Sequence, residues 1–215
     1  MNVIAINGSP RKNWNTGILL EKALEGAASK GASTEIVNLY ELSYKGCLAC
    51  LECKRVNGTS RGRCAVKDDL KPVLERVENC GALIIGSPIY FSEITAMARA
   101  FFERLLFQYL SYDKDRTPLT PHTIPNAFIY TMNVSESARD SIGYLKKSSE
   151  YAALLERILG PTRSLCITET LQVDDYAKYH MTMFNENERR ERRDKVFPID
   201  CEKAVELGSS LVSGV

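Results

Sequence analysis

Five short runs, each apolar rather than alternating in character, recur along this chain with amphipathic stretches between them. Asn2 to Asn7, Thr34 to Leu39, Ala82 to Ile85, Asn126 to Met132 and Ser164 to Glu169 read as strands. Thr16–Lys30, Asp69–Asn79, Thr95–Leu110, Tyr144–Leu159 and Glu202–Leu211 carry apolar residues at helical spacing. A strand with one wet face alternates polar and apolar residues, whereas a strand buried on both faces does not. Strands alternating with helices therefore predict an α/β fold: a doubly wound, five-stranded parallel sheet with helices on both faces. The 215 residues suffice for one sizeable domain. A formal net charge of +1 gives no field for nucleic acid or a membrane surface. No apolar run approaches the roughly 18 residues that span a bilayer. The first residues lack a secretory pattern, so a cytoplasmic protein is expected, its seven cysteines free, metal-bound or redox-active.

Ligands of such sheets sit beyond the carboxyl ends of the strands, where the loops after the first, third and fourth strands are rich in donors. In GSPRKNWNTG, residues 8 to 17, Gly8 permits a tight exit from the strand and Pro10 stiffens the turn. Ser9, Asn15 and Thr16 supply neutral donors and Arg11 a charged one. The next helix starts near Thr16 and points its unpaired N–H groups back into the loop, which describes a phosphate site. A polar turn capped by Thr16 would account for Thr16 but not for Arg11. The loop is neither a Walker loop nor a dinucleotide fingerprint. In the loop after the third strand, Ser87–Pro88 makes a rigid turn. Tyr90 and Phe91 can cover an aromatic ring system or simply pack core.

The run CLACLECKRVNGTSRGRC places Cys47, Cys50, Cys53 and Cys64 at C-x2-C-x2-C-x10-C spacing. Structural zinc sites pair two distant CxxC units, whereas three cysteines at successive x2 spacing suit a cubane. Lys54, Arg55, Arg61 and Arg63 would offset the charge of a thiolate-held cluster. Free or redox-active thiols and a zinc ion remain the other readings. Cys80, Cys166 and Cys201 read as small buried hydrophobes, and neither His122 nor His180 is assigned a role. Asp68 is expected to cap the helix that follows it. Residues 185–195, NENERRERRDK, read as a solvated helical face, or else as an arm for subunit packing or a basic face for an acidic partner. The Pro-rich run 112–125 is long enough for a lid or an interface loop.

GSPRKNWNTG resembles the phosphate loop of the flavodoxin-like NAD(P)H-dependent FMN reductases, and GSPIYFSEITAMARAFFER, residues 86 to 104, resembles that family's second flavin segment. The cysteine run is similar to the compact motif of the iron–sulfur flavoproteins, a branch of the same family, although the last gap is longer than usual there. The resemblance covers most of the chain and is weakest beyond about residue 170. It implies that Ser9, Arg11, Asn15 and Thr16 hold the FMN phosphate and that Pro88, Ile89, Tyr90 and Phe91 wrap the isoalloxazine. It also implies that Met132 and Asn133 lie near the flavin edge, and that Cys47, Cys50, Cys53 and Cys64 carry a 4Fe–4S cluster. Residues 1–170 would form the FMN-binding domain, with its cysteine loop at 41–67, and 171–215 an extension that closes the same domain. The implied function is an FMN-dependent oxidoreductase or electron-transfer flavoprotein, linked to NAD(P)H, a quinone or ferredoxin, and built as a homodimer or homotetramer. Two alternatives are a cluster-free NAD(P)H-dependent FMN or quinone reductase and a redox-sensing regulatory protein of the same fold. No side chain is assigned as an acid–base catalyst.

Overall fold

The structure, a computed structural model, describes residues 1–213; the last two residues of the 171–215 extension lie outside the described residues. Its elements in chain order are β1 (Asn2–Asn7), α1 (Asn15–Ser29), β2 (Ser33–Asn38), α2 (Leu70–Glu78), β3 (Ala82–Tyr90), β4 (Glu93–Ile94), α3 (Ala96–Tyr109), β5 (Asn126–Thr131), α4 (Glu136–Ser141), α5 (Tyr144–Ile158), β6 (Thr162–Ile167), α6 (Glu186–Lys195) and α7 (Phe197–Ser213). The main strands run parallel in the order β2-β1-β3-β5-β6. The chain leaves β1 toward one edge of the sheet to form β2, then returns past it to form β3 and continues to the other edge. The strand order therefore reverses between β1 and β3, where a crevice opens above the sheet.

The pleat sorts side chains between two cores. Ile4 and Ile6 of β1, Leu83 and Ile85 of β3, and Phe128 and Tyr130 of β5 pack under α2, α3 and α5. Val3, Ala5, Ile84, Ala127 and Ile129 face the other way, onto α1 and α7. Both faces of the central strands are covered, which is why their sequences do not alternate. The edges differ. β2 exposes Ser33 and Thr34, and β6 exposes Arg163 and Ser164, because each has a neighbour on one side only.

α7 is longer than the expected Glu202–Leu211 helix and lies against α1 at backbone contact. A Cβ on Gly208 would stand 1.8 Å from the Ala23 carbonyl oxygen, and one on Gly26 would stand 2.0 Å from that of Val205. β3 runs on past Ile85 to Tyr90 and turns through Phe91 and Ser92 into the antiparallel β4, an addition absent from the expected five-stranded sheet. Asp68 does not cap α2: Asp69 holds the N-cap position, and the Asp68 carboxylate pairs with Arg104 instead. The buried guanidinium requires a counter-charge, and that demand outweighs a cap. Among the described residues, no helix is long and apolar enough to cross a membrane.

Candidate functional site

The β1–α1 loop is held down from below. Asn7 donates through Nδ2 to the Lys12 carbonyl at 3.2 Å and to Asn38 Oδ1 at 3.0 Å, and its own Oδ1 accepts from the Ser9 amide at 3.0 Å. Ser9 Oγ accepts from the Arg11 amide at 3.2 Å. Gly17 is required because a Cβ there would stand 1.9 Å from the Lys12 carbonyl oxygen. The loop thus folds over the start of α1, where Asn15 and Thr16 are buried. Trp14, not Thr16, holds the N-cap position, and no side chain caps the turn. Thr16 instead shares a 2.8 Å hydrogen bond with Thr131 of β5. With no acidic residue in the first turn either, the N-terminal end of α1 presents its amides and its positive dipole end to the crevice.

One cleft gathers Ser9, Arg11, Asn15, Thr16, Pro88, Ile89, Tyr90, Met132 and Asn133, so residues far apart in sequence meet there. Phe91 is not part of its lining: it sits at the β3–β4 tip with φ +49°, fully exposed. Trp14, Thr131, Val134, Tyr144, Thr170 and Gln172 complete the wall. Of these, only Trp14 and Val134 lay in loops that the sequence singled out. Segment 170–172 arrives because β6 ends beside β5: the Thr170 amide donates to the Met132 carbonyl at 3.1 Å. The Leu171 carbonyl then accepts from Asn15 Nδ2 at 2.8 Å and from Trp14 Nε1 at 3.0 Å. Arg11 donates to the Gln172 carbonyl and lies over the Trp14 ring.

Helix α6 reaches this wall although every residue of it looks solvated in sequence. Arg193 donates to Asn15 Oδ1 at 2.8 Å and stacks on Phe197, 4.1 Å from the ring centroid. Burial pushes its guanidinium pKa down. Arg189 donates through Nε to Asn133 Oδ1 at 3.0 Å and through Nη1 to Glu169 Oε1 at 2.9 Å. Asn133 Nδ2 is then buried without an acceptor among the described residues. Such a group costs about 1–3 kcal/mol unless something bonds it. Uncapped amides, hydroxyls and an orphaned amide donor form a set that fits a phosphorylated ring system such as FMN.

The four cysteines of the C-x2-C-x2-C-x10-C run line a second, smaller pocket under α3. Cys53 is buried, Cys47 and Cys64 are partly so, and Cys50 is exposed. Ala49 and Leu51 take φ of +51° and +61°, so the chain turns sharply at each step between cysteines. Arg104, Phe107 and Gln108 share one face of α3 and meet the loop together. Arg104 is fully buried in its side chain, pairs with Asp68 at 2.8 Å, and donates to Cys64 Sγ at 3.0 Å and to the Lys45 carbonyl at 3.0 Å. Gln108 accepts from the Cys64 amide at 2.9 Å. Lys54 donates to the Gln108 carbonyl at 3.0 Å. Burial raises the Cys53 thiol pKa, and the neighbouring Lys54 opposes the rise. Among the described residues no three His, Cys, Asp or Glu side chains are grouped to hold a single metal ion. A cubane takes one thiolate at each of four irons and does not need them grouped round one ion. Four cysteines in one pocket beside a buried guanidinium and an ammonium make a donor set that fits an anionic cluster. Elsewhere Cys80 is fully in the core, where burial pushes its thiol up to about 12.

A five-stranded parallel sheet with an uncapped helix N-terminus at the β1/β3 switch point defines a flavodoxin-like fold. The family model for NADPH-dependent FMN reductase matches residues 1–123, more than half of the chain, and the chain belongs to this family. An iron–sulfur flavoprotein of Methanocaldococcus jannaschii is 34% identical over 104 residues, covering 48% of this chain and 51% of that protein. The chain therefore spans about half the length of the curated relatives it matches. An NAD(P)H:quinone oxidoreductase from Methanothermobacter marburgensis superposes with a TM-score of 0.68 at 18% identity, over 98% of this chain and 96% of that one. A flavodoxin from the domain Archaea superposes with a TM-score of 0.51 at 16% identity, over 100% of this chain and 98% of that one. These two structural likenesses concern the fold.

Proposed function

We propose that the chain is an FMN-dependent oxidoreductase that also carries a 4Fe–4S cluster and moves electrons between the two. The observation that carries the reading is the cleft itself: an uncapped α1 N-terminus, hydroxyls, and the Pro88–Tyr90 wall converge there from separate loops. In this reading Ser9, Arg11, Asn15 and Thr16 hold the FMN phosphate. Pro88, Ile89 and Tyr90 pack along the isoalloxazine, Met132 and Asn133 meet its polar edge, and Phe91 stands at the rim for an incoming reactant. FMN supplies the electron chemistry, so the protein needs to bind, orient and partly shield it, and no side chain need transfer a proton. Cys47, Cys50, Cys53 and Cys64 are the cluster ligands, with Arg104 and Lys54 offsetting the charge. α3 links the two centres: from its Thr95 cap beside the cleft to Arg104 is about 14 Å along the helix axis. A nicotinamide, a quinone or a ferredoxin-like protein in the cytoplasm is the exchange partner, and the chain works as a homodimer or homotetramer.

Purification without oxygen, followed by assay of FMN, iron and acid-labile sulfide, tests this reading. The expected outcome is one FMN with about four irons and four sulfides per chain, the content of one cubane. FMN without iron would instead assign the chain to the cluster-free reductases, with the cysteines left for another task. Loss of both after reconstitution would remove the reading of the cleft.

A further inference from the structure

The charged run 185–195 resolves into a helix whose arginines face inward at two points. Arg189 is only 11% exposed in its side chain, although it sits on a helix with no buried residue. Its guanidinium makes three directed contacts: Nε to Asn133 Oδ1 at 3.0 Å, Nη2 to the Asn133 carbonyl at 3.2 Å, and Nη1 to Glu169 Oε1 at 2.9 Å. Phe184 covers the same guanidinium at 5.6 Å from its ring centroid. Glu169, in turn, is held in the left-handed region at φ +53°, with its amide on the Val134 carbonyl at 3.0 Å. The β5 loop is thereby gripped through both its backbone and its side chain.

The chemistry of this grip has one consequence for the amide of Asn133. Guanidinium nitrogens only donate, so the Asn133 atom facing Arg189 must be the oxygen. The NH2 group is left without that partner: it is buried and has no acceptor among the described residues, in a residue that lines the cleft. Buried donors in folded proteins are almost always satisfied. We infer that Arg189 is a positioning residue: it fixes the Asn133 amide so that its NH2 group donates to an acceptor atom on the ring system bound in the cleft. This inference rests on the FMN reading above.

Titration of the apo-protein with FMN, followed by flavin fluorescence and visible absorption, tests it. Arg189→Met is expected to weaken FMN binding about tenfold, the change that one net hydrogen bond is worth, and to shift the visible bands of the bound flavin. Arg189→Lys keeps the charge but not the fork, and is expected to bind as weakly as Arg189→Met. Asn133→Asp leaves Arg189 its acceptor and replaces the donor by a carboxylate oxygen, whose charge Arg189 pairs. It is expected to melt like the parent protein and still lose the same tenfold. The Arg189→Met/Asn133→Ala double variant is expected to bind no more weakly than Asn133→Ala alone. Parent-like affinity in Arg189→Met or Asn133→Asp, full recovery in Arg189→Lys, or losses that multiply in the double variant would each overturn the inference while leaving the FMN reading intact. A parent protein that binds no FMN would overturn both, so the two failures are distinguishable.

Discussion

At the scale of single residues, two side chains of the 86–104 segment stand out for what they do. Arg104 has no solvent, so its charge is met by the Asp68 carboxylate, two main-chain carbonyls and the Cys64 sulfur. It thereby closes the cysteine loop from underneath at three separate points. Phe91 is the opposite case: a large aromatic side chain left in solvent at a two-residue turn whose central residues both have positive φ, +49° and +67°. Such hairpin turns favour Asn and Gly, and a bulky residue there is strained. Phe91→Gly is expected to raise stability by about 1 kcal/mol, since it relieves a left-handed backbone and removes no buried contact. Urea unfolding of the apo-protein measures that gain. A parallel turnover assay is expected to show a loss, because the aromatic rim that meets an incoming reactant is gone.

Among the elements, α1 and α7 pack so tightly that two glycines are obligatory. The Gly208 position lies against the Ala23 carbonyl and the Gly26 position against the Val205 carbonyl, with no flexible side chain able to give way. Gly208→Ala is therefore expected to cost about 2–3 kcal/mol in chemical denaturation, since the two helices must separate. The same displacement moves α1, whose N-terminus forms the cradle, so FMN affinity is expected to fall with it. α6 illustrates the limit of pattern reading at this scale. Glu186–Lys195 is charged throughout, and charge periodicity reads as a wet face. Only the i,i+4 spacing of Arg189 and Arg193, with Phe184 and Phe197 nearby in the chain, hints that one stripe turns inward.

For the molecule as a whole, the sheet supplies the frame and acid sensitivity follows from the pair that locks the cysteine loop to α3. Burial alone would raise the Asp68 pKa, but the hydrogen bonds and charge of Arg104 overcome it and hold the carboxyl below its usual value. A carboxylate with a lowered folded-state pKa contributes stability that is complete above the unfolded value near 3.9, and loses it as pH falls through the lower folded value. The parent protein is thus expected to lose this contribution only below about pH 4. Asp68→Asn is expected to be less stable at neutral pH by about 3 kcal/mol, because Arg104 stays buried without its counter-charge. Its stability is expected to change less than that of the parent between pH 5 and pH 2, roughly the window of carboxylate titration. Thermal melts of both proteins across that range check the sign.

Much of this protein is written in local pattern. Apolar strands such as Val3–Ile6, amphipathic helices such as Thr16–Lys30, and the donor-rich loops at 8–17 and 86–93 all depend on neighbours in the chain, which a sequence displays. Hence the parallel sheet, the cleft at its carboxyl edge and six of its wall residues were legible, and the family resemblance added Ile89, Met132 and Asn133. The partners that arrive from afar were not. Thr131 beneath Thr16, Leu171 beneath Asn15, Arg189 on Asn133, and Asp68 turned from a cap to Arg104 are pairings across 20 or more residues. They are set by the order of strands in the sheet and by the need to satisfy each buried polar group, and neither condition exists until the chain has folded.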